Sequence, residues 1–197
     1  MGLLDALLGR TKPARPNLDA LFALPSAAIT LQAATDYVPT GTGSVCFRAA
    51  EGKVFSEIES DLRELLSMDS RAGGAQDKQS KVEISTDSYG YTWLVRAHDP
   101  NDIEGLVTDL HAVNSTLEGA GFGPQLLCTI VAFRGSGASR LGLVYLYKRG
   151  TFYPFAPQSG ERRDSAAELE IRGVLGDDLK IEPELGRWFP VWGAPGL

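Results

Sequence analysis

The chain has 197 residues, of which 43% are hydrophobic and 22% charged; this is enough apolar material for a core without metal or disulfide staples, and it excludes a wholly disordered chain. The formal net charge of −6 excludes nonspecific nucleic-acid binding through the whole surface. No apolar run is long enough to span a bilayer, and Arg10, Lys12 and Arg15 follow the first leucines rather than precede them, unlike a secretory leader. These features place the expected chain in the cytoplasm.

Residues 2–9 form a short amphipathic segment in which Leu3, Leu4, Leu7 and Leu8 share one side at helical spacing. TKPARP, 11–16, follows as a breaker-rich linker. Residues 1–16 are therefore expected as an appendage, and a leucine face with adjacent bases at 2–15 offers peripheral contact with an anionic membrane surface. Asn17 is placed to cap a second short helix that Pro25 ends.

The remainder reads as three strand–strand–helix units. The first has a strand near 28–34, a turn in YVPTGTG, a strand near 43–49 and a helix near 54–68, followed by a polar loop over 67–80. The second has strands near 81–86 and 91–97 around a turn at Asp87–Gly90, then a helix over 101–118. In that helix Ile103, Leu106, Val107, Leu110, Val113 and Leu117 form an apolar stripe that Gly119, Gly121 and Gly123 terminate. The third has strands near 125–133 and 140–148, a short strand after Gly150 and a helix over 161–175.

Strand 140–148 alternates Leu143, Tyr145 and Tyr147 with Val144 and Leu146, so both of its faces call for cover. The expected fold is α+β: one mostly antiparallel sheet of six or seven strands, helices packed on it, in a single domain over 17–180. Residues 181–197 hold three prolines and three glycines, which forbid a long helix or strand. Trp188, Phe189 and Trp192 are expected to dock there as an aromatic strap.

Charge is unevenly distributed. Residues 51–110 carry a net −7, whereas residues 134–163 carry a net +5 from Arg134, Arg140, Lys148, Arg149, Arg162 and Arg163 against Glu161. The segment 145–164 interleaves Lys148, Arg149, Arg162 and Arg163 with Tyr145, Tyr147, Phe152, Tyr153 and Phe155. Aromatic and arginine side chains are favoured at interface hot spots. The partner-binding residues expected are Arg149, Arg162, Arg163 and Tyr153, with Lys148, Trp188 and Trp192 as further contacts. Arg162 and Arg163 near a helix start oppose the macrodipole, which favours a contact role.

Sites for chemistry are not evident. Cys46 and Cys128 lie in apolar runs, outside any CxxC pair, and read as buried thiols. His111 reads as a structural histidine beside the apolar stripe, and His98 as a turn residue. GAGFG and GSGAS match neither phosphate-loop form and read as a helix end and a hairpin turn. Glu57 and Asp61 share a helix face but read as solvated. No catalytic residue, metal ligand or cofactor is expected. Two alternatives stand beside a binding role: a small anionic-ligand or nucleotide site near Arg149, and a cysteine-dependent enzyme pairing Cys46 or Cys128 with a histidine.

The blocks NLDALFALPSAAITLQAAT (17–35), GSVCF (43–47), DSYGYTWLV (87–95), DLHAVNSTLEGAGFGPQLLC (109–128), LVYLYKRGTFYPFAP (143–157), GERRD (160–164) and RWFPVWGAPGL (187–197) resemble the PspA-associated PspAB family across nearly the whole chain. The loop at 67–80 looks less family-like. The resemblance implies an actinobacterial protein linked to the phage-shock envelope-stress system and to a membrane protease of the HtpX type. That link implies no reaction and supplies no catalytic residues; the non-catalytic adaptor or regulatory role expected within the pathway rests on the aromatic and arginine residues of 145–163. The expected partner is a PspA-like coiled-coil protein, with the HtpX-like protease as runner-up.

Overall fold

The computed structural model describes residues 16–48, 60 and 83–197. The amphipathic segment and linker at 1–15, the helix expected at 54–68 apart from the helical Ser60, and the loop at 67–80 lie outside the described residues. Strands β1 (Val38–Arg48), β2 (Glu83–Thr86), β3 (Tyr91–Ala97), β4 (Leu126–Arg134), β5 (Arg140–Leu146) and β6 (Thr151–Phe155) form a six-stranded sheet in the order β2-β3-β1-β4-β5-β6. Every neighbouring pair is antiparallel. A two-residue ribbon, β7 (Pro157–Gln158) with β8 (Arg162–Arg163), precedes the last helix. The α+β class and the antiparallel sheet expected from the sequence are both present.

Helices α1 (Leu24–Ala34), α2 (Ile103–Leu117) and α3 (Ser165–Leu175) pack on one face of the sheet with a 3₁₀ turn at Leu18–Ala23. The stripe read from the sequence is the buried side of α2, where Leu106, Val107, Leu110, Val113 and Leu117 are each 0% exposed. Burying each such side chain stabilises the fold by about 1.5–3 kcal/mol. Helix α2 connects β3 to β4, which flank β1 and run parallel to each other on either side of it.

The strand expected at 28–34 is instead helix α1. Leu24, Ala27, Ala28 and Leu31 are buried at i, i+3, i+4 and i+7, the period of a helix rather than of a strand. Pro25 lies at the start of this helix, where its missing N–H breaks no hydrogen bond; it does not end the preceding turn. YVPTGTG is likewise strand rather than turn. Strand β1 runs through it with a bulge, since Pro39 pairs with Phe133 and Gly43 with Val131. Gly41 sits in that bulge at φ +77°, and a Cβ there would lie 2.2 Å from the His98 carbonyl oxygen, so no side chain fits.

The two faces of the sheet separate cleanly. Val45 and Phe47, Leu94, Val131 and Phe133, and Leu141, Leu143 and Tyr145 join the helix-side core. Cys46, Trp93, Cys128, Ile130, Val144, Tyr153 and Phe155 form a second cluster on the opposite face, under the C-terminal segment. Strand β5 is therefore covered on both sides, as its alternation predicts.

A charged knot pins the end of β3 to α2. Arg96, 1% exposed, donates through Nε to Oδ2 of Asp109 at 2.7 Å and through Nη2 to the same oxygen. The His98 ring bridges Asp109 Oδ2 and Asp102 Oδ2, each at 2.9 Å. Asp102 also caps α2, accepting from the Gly105 N–H at 3.0 Å. His98 is thus more than a turn residue, and Asp109 faces β3 rather than His111. His111 contacts Asp19 at 3.3 Å and packs on Phe22.

The hydrogen bond to Asp109 raises the His98 pKa above 6.5, against the opposing effect of burial. Burial alone would push the Asp109 carboxyl up, but hydrogen bonds from His98 and Arg96 outweigh it and hold it below 3.8. The Asp109 contribution is present above that value and is lost as pH falls through the depressed one. The His98 contribution is fully present below its ordinary value and is lost as pH rises through the raised one. Urea denaturation of the parent and of His98→Gln should therefore show a larger stability gap at about pH 5.5 than at about pH 9; equal gaps would contradict this linkage.

Candidate functional site

The second face of the sheet is covered by residues 181–197, and the way they are fastened shapes the site. Ile181 forms a parallel bridge with Phe152. The Glu182 carboxylate, 0% exposed, accepts from Arg149 Nε at 3.0 Å, from Thr151 Oγ1 at 2.8 Å and from the Glu184 N–H at 3.3 Å. Burial works to raise the Glu182 pKa, but these donors prevail and hold it below the usual carboxylate value. The Glu182 carbonyl accepts from Trp188 Nε1 at 3.0 Å, and Tyr153 donates its hydroxyl to the Phe189 carbonyl at 2.7 Å. Trp188 stacks on Tyr153 with centroids 6.0 Å apart, and Trp192 meets Phe155 edge-on at 4.9 Å. Of the three aromatics expected to dock, Trp188 is buried and Trp192 packs on Phe155, whereas Phe189 is 59% exposed.

This strap does not cover the whole face. Between it and the β2–β3 hairpin lies a groove of about 650 Å³. Its floor includes Cys46, Trp93, Cys128, Leu146 and Tyr153; its sides are Tyr89 and Tyr91 on one hand and Phe189 to Trp192 on the other. Leu127 also lines it, and the reason is a second bulge. Cys46 pairs with Cys128 but Phe47 with Leu126, so Leu127 is the extra residue and the strict alternation of β4 is broken there.

Lys148, Arg149 and Arg187 line the groove at the β5–β6 turn and the strap. Arg149 is tied to Glu182, and Arg187 Nε contacts Glu184 Oε2 at 3.0 Å. Lys148 is exposed and has no ion pair among the described residues. Arg187 Nη1 is buried without a hydrogen-bond partner among them. The acid on the lining, Asp87, is occupied: it accepts from the Tyr89 and Tyr91 N–H groups and from Trp93 Nε1, all at 2.9 Å.

The side chains singled out in the sequence divide between two places. Lys148, Arg149, Tyr153 and Trp192 line the groove. Tyr153 is 1% exposed, so it shapes the floor rather than projecting as an anchor. Trp188, 5% exposed, lies beneath the strap. Arg162 and Arg163 are in β8, before the Asp164 cap of α3; the macrodipole argument therefore does not apply to them. Arg163 turns inward, donating from Nε to Glu168 Oε1 at 2.9 Å and from Nη1 to the Trp188 carbonyl, with its guanidinium over the Phe155 ring. Arg162 is exposed, its Nε directed to the Ser159 carbonyl at 3.3 Å.

Sequence reasoning missed Arg187, Trp93 and the pairing of the cysteines. Cys46 and Cys128, 82 positions apart in the numbering of the chain, are direct cross-strand neighbours, both buried and free. A hydrogen bond to Cys128 and then burial push the Cys46 thiol far above the ordinary cysteine range. That suppresses the thiolate, which is the nucleophile. Neither histidine lines the groove, and both are bound to carboxylates elsewhere. The cysteine–histidine enzyme considered above therefore has no assembled pair. Among the described residues no group of three or more His, Cys, Asp or Glu could hold a metal ion.

Two outcomes are expected. Glu182→Ala strips Thr151 Oγ1 and the Glu184 N–H of their acceptor; it should cost about 1–3 kcal/mol and open the 182–197 strap to limited proteolysis. An unchanged digestion pattern would show that the strap is held without Glu182. Labelling of Cys46 and Cys128 by a small aromatic disulfide near neutral pH should be roughly a hundredfold slower in the native chain than in denaturant, and His98→Gln should leave the native rate unchanged. Rapid native labelling that depends on His98 would restore the enzyme reading.

Among the described residues no helix is long and apolar enough to cross a membrane. A search of the curated proteins and another of the solved structures found no match. The family described as PspAB, PspA associated protein B, matches residues 1–196, in agreement with the resemblance carried by the blocks from 17 to 197. This chain belongs to the PspAB family.

Proposed function

We propose that this protein is a non-catalytic adaptor of the phage-shock type of envelope-stress response, working through protein–protein contact with a PspA-like coiled-coil partner. The observation that carries this reading is the match of residues 1–196 to a family whose description names an association with PspA rather than a reaction. The suppressed Cys46 thiol and the separation of both histidines from the cysteines support a binding role over catalysis.

The contact surface in this reading is the basic β5–β6 turn with Lys148 and Arg149, and Arg162, on β8 beyond the other end of β6, is a separate basic contact. Lys148 and Arg162 are exposed, so they are free to meet an acidic stripe on a helical partner. Tyr89 and Phe189, 66% and 59% exposed, supply apolar contact next to Lys148 and Arg149 around the groove. Arg163 contributes indirectly, by holding Trp188 and Glu168 in place. The reading puts the protein in the cytoplasm, at the inner face of the membrane, where a HtpX-like protease is the second candidate partner.

Pull-down of each purified candidate by the full-length chain tests this. The PspA-like protein should be captured, and the double variant Lys148→Glu with Arg162→Glu should weaken capture about tenfold or more, a loss of about 1.4 kcal/mol. Undiminished capture by the folded variant would reject this surface. Failure of the parent to capture either candidate would reject the adaptor reading.

A further inference from the structure

The groove on the second face has the attributes of a ligand site that an adaptor does not require. Its volume of about 650 Å³ falls inside the roughly 300–1,000 Å³ typical of small-molecule sites. A helix with side chains is roughly 10–12 Å across, so this volume would take little more than one turn of a partner helix. The size suits a small molecule.

The distribution of polarity selects the kind of molecule. Trp93, Leu127, Leu146, Tyr153 and Val191 present carbon to the groove, while the cations Lys148, Arg149 and Arg187 share its lining from the β5–β6 turn and the strap. A nucleotide needs polar partners for base and sugar along its length, and the apolar floor is poorly suited to that. Glu182 and Glu184 offset two of the three cations. Lys148 remains uncompensated among the described residues, and Arg187 keeps its buried Nη1 without a partner among them. That nitrogen is closed off from the groove, so it is the exposed part of the Arg187 side chain that meets a bound anion beside Lys148. Asp87 has its oxygens occupied by Tyr89, Tyr91 and Trp93, which leaves it little capacity to draw in a second cation.

We propose that this groove binds a single-chain amphiphile with one anionic head group, its alkyl chain lying against Trp93, Leu127, Leu146 and Val191 and its head group held by Lys148 and Arg187. The head group is a carboxylate or a phosphate, supplied by a free fatty acid or by a lysophospholipid. The inference is independent of the PspA-like partner, and its test uses different side chains from those that define the docking edge, Lys148 apart.

Titration of the delipidated full-length chain, followed by tryptophan fluorescence and calorimetry, decides it. The probes are palmitate and a palmitoyl lysophosphatidate below their micelle concentrations, hexadecanol, inorganic phosphate, and vesicles of phosphatidylglycerol. Palmitate or the lysophosphatidate should saturate at one per chain, and whichever binds tighter identifies the head group. Arg187→Gln with Lys148→Gln should weaken binding at least tenfold. Leu127→Trp or, from the strap side, Val191→Trp should block it while the circular dichroism spectrum is kept. Hexadecanol binding as tightly as palmitate would overturn the head-group assignment, and phosphate alone giving the full response would overturn the role of the chain. Undiminished binding by both folded tryptophan variants, or a response to vesicles without one to either monomeric amphiphile, would overturn the site.

Discussion

The architecture follows from the central strands being apolar on both faces. Strands β1, β4 and β5 send Val45, Val131 and Leu143 to one side and Cys46, Ile130 and Val144 to the other. Leaving either set in water would forfeit about 25 cal/mol for each Å² of apolar surface, so both faces must be covered. Three helices serve the first face among the described residues. The strap over the second has too few residues, and too many prolines and glycines, to close it. It lies along β6 and β5, anchored by Trp188 and Trp192, and leaves a groove towards β3. The candidate site is thus the unfilled remainder of a packing problem.

Buried charge settles which contacts are specific. Asp109 joins Arg96 and His98, Glu182 joins Arg149 and Thr151, and Glu168 joins Arg163 and the Ala156 N–H at 2.9 Å. Each carboxylate lies on a helix or the strap and reaches a donor on the sheet or a segment leading from it. Such groups add little net stability compared with apolar replacements, but removing one partner strands the other. They therefore define where α2, α3 and the strap sit. They also partition the basic segment 148–163: Arg163 is committed to internal structure, Arg149 is shared between strap and groove, and Lys148 and Arg162 face outward.

A protein of this construction suits a binding role. Its cysteines are neighbours, but the Cys46 thiol is held protonated by Cys128 and burial at the floor of an apolar groove, and the histidines serve carboxylates on the helix side. Family membership supplies the biological setting, association with PspA.

Much of this was legible in the chain because it depends on local period. The α2 stripe from Ile103 to Leu117, the Asp87–Gly90 turn and the two-faced alternation of 140–148 all follow from residues close in sequence. The seven blocks between 17 and 197 carried the family. The error at 28–34 has the same root: AITLQAAT is short and apolar enough to fit a strand, and the buried Ala27 and Ala28 have meaning only once α1 meets the core. Other features were set by register and long-range pairing. A single bulge at Leu127 places that side chain in the groove beside Cys128, and the β1–β4 register brings Cys46 against it. Arg149 and Arg163 look alike in sequence, and Glu182 and Glu168, brought up by the strap and by α3, give them different work. Local periodicity determines which side chains must leave water; the tertiary structure decides which of them meet, because that choice depends on partners many residues away.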